Sequence, residues 1–152
     1  MKYLSNEAFS VIKLEKHDTK DIVDKHINGS LTVIWRDWDD IIKNHPKMIY
    51  ITSVFPNEVK GPHLHTKRSS YFICIRGKVV FVIKDNEGKY HEIISDANEP
   101  SMVYVSKNVY SAHMNLSKET SSILTLADIA WRPNDDEMKN GIFSDYDWSK
   151  WK

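Results

Sequence analysis

The chain has 152 residues and a mass of 17.8 kDa, a length that carries one sizeable core and is short for two. With 41% hydrophobic and 28% charged residues, and 21 Lys+Arg against 21 Asp+Glu, the composition is that of a folded protein. It has no basic block of the kind that marks nucleic acid as the main partner. The lone Cys74 forms no disulfide within the chain. Charges interrupt every apolar run before it reaches the length of a membrane span or of a secretory leader. These features imply a single domain over residues 1–152, a cytoplasmic location, and neither nucleic acid nor membrane as partner.

Taken in chain order, residues 30–35 (SLTVIW) are the first with strand character. Residues 37–44 (DWDDIIKN) look helical, with Asp37 as N-cap and Pro46 closing the segment, which predicts one short helix. Strands follow at 48–54 (MIYITSV), 71–75 (YFICI), 79–84 (VVFVIK), 90–94 (YHEII), 102–105 (MVYV), 110–116 (YSAHMNL) and 122–130 (SILTLADIA). Each is short, rich in β-branched or aromatic residues, and bounded by Gly, Pro, Asn or Asp. Gly77 punctuates one pair, and Asp85-Asn86-Glu87-Gly88 supplies residues that tolerate positive φ between another. Eight strands with no helices between them predict an all-β fold, a jelly-roll barrel of antiparallel strands.

The most informative stretch for chemistry is Lys60-Gly61-Pro62-His63-Leu64-His65, read as the end of a loop before a strand at the barrel mouth. Residues i and i+2 of a strand project to one side, so His63 and His65 share a face. Two such imidazoles either hold a metal together or divide the work of a general base and a hydrogen-bond donor. Lys60, Lys67, Arg68, Arg76 and Lys78 gather around them in sequence. Asp128 stands in an otherwise apolar strand, where a carboxylate needs a partner.

Gly61, His63, His65 and Gly77 resemble the first motif of the cupin superfamily. Metal-binding cupins add a Glu and a third His; here those places read Ser69 or Ser70 and residues 106–111 (SKNVYS), with His113 two positions further on. The chain is more similar to the metal-free cupin-fold enzymes of nucleotide-linked 4-keto-6-deoxy sugars, the dTDP-4-dehydrorhamnose 3,5-epimerases and the dTDP-sugar 3,4-ketoisomerases. Residues 28–33, the run from Tyr50 to His63, residues 102–105, residues 130–137 and Gly141-Ile142 carry that resemblance over most of 28–145. Two arginines of the pattern are Asn28 and Lys60 here, and the epimerases' catalytic tyrosine falls on Thr125. His-Leu-His is close to the ketoisomerases' His-Ala-His.

The resemblance implies an isomerase that works through an enolate without cofactor or metal, as a 3- and/or 5-epimerase in deoxysugar and surface polysaccharide biosynthesis. A 3,4-ketoisomerase, a metal-dependent cupin using His63, His65 and His113, and a non-catalytic sugar-nucleotide-binding barrel are the alternatives. It implies His63 as base, with His65 or Tyr50 as donor to the enolate; Asp128, read from its apolar strand, either orients His63, contacts the sugar or points outward. Lys60, Arg76 and Lys78 are expected at the diphosphate, and Tyr71, Tyr110 and Trp131 at the base or sugar. A homodimer is implied too, with residues 11–14 in an exchanged N-terminal strand.

Overall fold

Two antiparallel sheets close over a shared apolar core in the computed structural model, which describes the backbone of residues 2–5 and all of residues 7–42 and 44–152. The strands are β1 (Lys2–Ser5), β2 (Phe9–Lys13), β3 (Glu15–Lys20), β4 (Ile27–Val33), β5 (Met48–Val54), β6 (Val59–His65) and β7 (Ser70–Arg76). They continue with β8 (Lys78–Lys84), β9 (Tyr90–Asp96), β10 (Ser101–Val105), β11 (Tyr110–Asn115), β12 (Ser121–Ala127) and β13 (Met138–Asn140). One sheet runs β1-β2-β10-β7-β12-β5 and the other β13-β6-β11-β8-β9, while β3 and β4 form a separate hairpin. This is the expected all-β jelly roll.

Burial explains the apolar runs. Val79, Phe81 and Ile83 on β8 face the core between the sheets with Phe9, Cys74, Val103 and Ile123. Val80 and Val82, pointing the other way, are covered by Phe143 and the aromatic tail of Tyr146, Trp148 and Trp151. A strand buried on both faces reads as a continuous hydrophobic run. On the outer side of the six-stranded sheet, Tyr71, Ile73, Met102 and Leu126 pack under Ile34, Trp35, Ile41 and Ile42. The turns also follow the sequence: Gly77 and Gly88 take φ of 78° and 84°, and Asp85 Oδ1 accepts from the Glu87 and Lys89 amides.

Several expectations need correction. Residues 37–44 are not a helix; the described part is turns and bends, and Lys43 lies outside the described residues. Asp39, not Asp37, anchors the segment, accepting from the Arg36 amide and guanidinium, and Arg36 lies 4.2 Å from the Trp38 ring centroid. Ile41 and Ile42 are drawn onto the sheet instead of into a helical register, a tertiary override of weak helix formers. The single helical turn of the described residues is the 3-10 segment Trp148–Trp151. The strand expected at 30–35 begins earlier, as β4.

Candidate active site

The site is built around an irregularity in β6. Met114 pairs with Val59 and His113 with Lys60, but Ser111 pairs with His63, so β6 spends one more residue than β11 over the same span. In a regular strand Lys60 and His63, three apart, would face opposite ways. The bulge reverses that, and Lys60, His63 and His65 line one cavity. Gly61 makes the bulge possible: its φ is +92°, and a Cβ there would sit 2.8 Å from the Ser111 carbonyl oxygen.

The cavity holds about 250 Å3 and is walled by Tyr50 and Thr52 from β5, the three β6 residues, Arg68, Phe72 from β7, Ser111 and His113 from β11, and Met138 from β13. Its volume suits a hexose ring and falls short of a whole nucleotide sugar. It shares Thr52 and Lys60 with an open groove of about 580 Å3 lined by Ile51, Ser53, Phe55, Glu58 and Val59.

The two motif histidines are held differently. His63 Nδ1 donates to the Asn140 carboxamide oxygen at 2.9 Å, which leaves Nε2 with its lone pair, and none of the described residues engages it. His65 Nδ1 donates to Glu137 Oε1 at 2.6 Å, and its Nε2 accepts from Arg68 Nη2 at 2.8 Å. Burial, opposed by the Glu137 hydrogen bond, lowers the His65 pKa. Burial raises the Glu137 carboxyl, but the hydrogen bonds from His65 and the Lys67 amide outweigh it and hold the group below its usual value. The pair is therefore a neutral imidazole against a carboxylate, with both ring nitrogens occupied. His113 is pushed down to about 4 by burial, then by Lys60 and His63. Its Nε2 is buried and unpartnered among the described residues.

The family description "FdtA: WxcM-like, C-terminal" matches residues 9–146. The chain belongs to this family. The same fold occurs in a dTDP sugar isomerase from Desulfovibrio desulfuricans G20, with a TM-score of 0.81 at 14% identity over 94% of this chain and 92% of that one. QdtA, a sugar 3,4-ketoisomerase from Thermoanaerobacterium thermosaccharolyticum solved with TDP, gives 0.69 at 20% identity over 89% of each chain. ChmJ, a 3'-monoepimerase from Streptomyces bikiniensis solved with dTDP-quinovose, gives 0.74 at 16% identity over 92% of this chain and 72% of that one. No curated protein is significantly similar in sequence.

In this member of the family, His63, His65, Tyr50 and Lys60 meet in the cavity, while the other expected site residues lie elsewhere. Tyr71 has the wrong parity on β7 and packs against Tyr104 on the outer face, ring centroids 4.9 Å apart. Tyr110 likewise faces outward from β11, its ring against Gly141. Arg76 and Lys78 are exposed at the end of the hairpin remote from Ser70, Arg76 pairing with Glu119 at 3.5 Å. Trp131 is 62% exposed, and its amide donates to Met48 Sδ. Asp128 does not reach His63; its carboxylate accepts from the Ser69 amide at 2.9 Å. Asp145 accepts from the Tyr90 hydroxyl, and Asp147 caps the 3-10 turn.

His65 offers a metal no lone pair without giving up a hydrogen bond. Among the described residues the three-ligand grouping is the half-buried Asp21 with the exposed Asp24 and His26, not the cavity histidines. Glu137 and Asn140 were not expected at the site: residues 132–137 read as a polar turn, and Glu137 entered only within the segment that carries the resemblance. Their role depends on β13 pairing with β6, Met138 opposite His65 and Asn140 opposite His63, and sequence spacing carries no signal of it.

Proposed function

We propose that the protein is an isomerase of a nucleotide-linked 4-keto-6-deoxyhexose, acting through an enolate with His63 Nε2 as the base. The observation that carries this is the state of His63. Asn140 fixes its Nδ1–H, and its free lone pair faces a cavity the size of a sugar ring. The sugar sits in that cavity, the nucleoside lies along the adjoining groove, and Lys60, at the boundary of the two, neutralises the linking diphosphate.

The finer reading is a 3,4-ketoisomerase. His63 takes the C3 proton, the electron pair forms C3=C4, and the carbonyl pair moves to O4. Return of the proton to C4, with the O3 proton passing to O4, leaves the ketone at C3. One base serves both carbons, and nothing is oxidised or reduced overall. Inversion at one carbon instead needs an acid on the opposite face of the ring. Thr125, at the epimerase tyrosine position, is buried beneath the cavity wall. Tyr50, its partner across the β5–β12 pair, supplies a phenol within the cavity, and this keeps the 3- or 5-epimerase as the second reading.

The test is incubation with dTDP-4-keto-6-deoxyglucose in D2O, followed by proton NMR. Deuterium at C4 with the ketone at C3 is the expected result. Deuterium at C3 or C5 with the ketone still at C4 would replace the ketoisomerase by an epimerase. Absence of exchange while the compound binds would overturn both in favour of a binding barrel. His63→Asn should lose at least about 100-fold in exchange and keep its affinity for dTDP.

A further inference from the structure

Arg68 leaves the sheet in the short connection between β6 and β7 and is only 9% exposed. Its Nη2 donates to His65 Nε2 at 2.8 Å and to the Tyr50 hydroxyl at 3.4 Å. Its Nε is buried without a partner, and none of the described residues accepts from Nη1. No carboxylate touches the guanidinium; Glu137 is reached only through His65. A guanidinium does not shed its proton, and a buried charge is costly unless compensated. His65 gives Arg68 a lone pair but no negative charge. The cavity therefore holds a cation with open donors and, among the described residues, no carboxylate in direct contact; Glu137 acts on it only from across the His65 ring.

We infer that Arg68 is the electrophilic catalytic residue, its open N–H groups holding the negative charge that develops on the sugar's O4 when His63 removes the adjacent proton. This rests on the proposed isomerase reading. In that step the C3–H bond breaks, its pair forms C3=C4, the carbonyl pair goes to O4, and the proton goes to His63 Nε2. Arg68 donates hydrogen bonds and transfers no proton. Fixed donors in a water-poor site stabilise such an oxyanion far more than donors in solvent.

Two anions in the substrate compete for this site, the enolate oxygen and the diphosphate. Position favours the enolate. Arg68 lies in the inner cavity with His63 and Phe72, and does not line the outer groove. The exposed Lys60, common to both, stands where a diphosphate must pass. The backbone on each side of Arg68 is also pinned, Lys67 N–H to Glu137 Oε2 at 3.3 Å and Ser69 N–H to Asp128 Oδ1 at 2.9 Å. Donors so fixed need little reorganisation as charge appears. This gives the cavity an enolate-stabilising group on a connection where neither the motif nor the missing tyrosine pointed.

Arg68→Gln and Arg68→Lys should be compared with the wild type for deuterium exchange into dTDP-4-keto-6-deoxyglucose and for affinity toward dTDP alone. The expected result is a fall of about 100- to 1,000-fold in exchange for Arg68→Gln, with dTDP affinity changed less than about threefold. Arg68→Lys, which keeps the charge, should recover part of the rate and guards against a folding defect in the glutamine variant. Exchange in a folded Arg68→Gln within about threefold of the wild type would overturn the inference. A loss of dTDP affinity matching the loss of exchange would also overturn it, assigning Arg68 to the diphosphate. A wild type that itself shows no exchange would instead bring down the isomerase reading.

Discussion

Acidification should destabilise the protein through His113, by an amount that follows from its surroundings. The ring packs on Phe81, centroids 5.6 Å apart, with Lys60 and His63 as its titratable neighbours and no partner for Nε2 among the described residues. Burial therefore pushes its pKa to about 4, against an ordinary 6.5. Between those values the unfolded chain binds a proton that the folded one refuses, so stability rises with pH and falls on acidification. At about 1.36 kcal/mol per unit, the loss is about 2.5 kcal/mol by pH 4.5 and levels off near 3.5 kcal/mol below pH 4. These are upper bounds, because the ring lines the cavity and is not enclosed on every side. Urea unfolding at intervals from pH 7.5 to 4.5, for the wild type and His113→Met, isolates this contribution, since the other titrating groups are common to both. The wild type should lose ground steadily to the variant below pH 6.5. Unfolding curves whose stabilities stay parallel within about 0.5 kcal/mol would refute the buried, unpartnered imidazole.

Replacing Asn140 by Asp puts a carboxylate beside His63 Nδ1, which should raise the acidic limb of the kcat/KM profile by about one pH unit. A limb that does not move would mean that Asn140 does not set the tautomer of the base. Gly61→Ala forces a side chain into φ +92° and against the Ser111 carbonyl at 2.8 Å, and should cost about 2–3 kcal/mol in urea unfolding. A cost under about 0.5 kcal/mol would show that the bulge relaxes freely.

The central strands were legible because each carries its own signal. Runs such as VVFVIK are buried on both faces, and DNEG provides a turn with the φ it needs. The polar β3 (EKHDTK), the β6 segment with its internal Gly-Pro, and the three-residue β13 offer no such signal; β6 and β13 are defined by what they pair with. The same limit applies to side chains. Parity placed His63 with His65 correctly, but Tyr71 and Tyr110 were assigned to a pocket on residue type alone. Their strand neighbours Phe72 and Ser111, one step out of phase, are the residues that line it.

The two motif histidines have the same spacing, strand and face, yet their chemistry diverges through a single neighbouring segment. The stretch ending in β13 presents a carboxylate at Glu137 to His65 and a carboxamide at Asn140 to His63. The carboxylate anchors one side of His65, and its other nitrogen is spent on Arg68, so the ring becomes a fixed acceptor that aims a guanidinium. The carboxamide fixes the His63 tautomer without adding charge, and the opposite nitrogen remains available to a proton. A His-x-His motif therefore does not say which imidazole moves protons. In the proposed isomerase that division is set by residues more than seventy positions away, and exchanging Glu137 and Asn140 should abolish it even though both histidines remain in place.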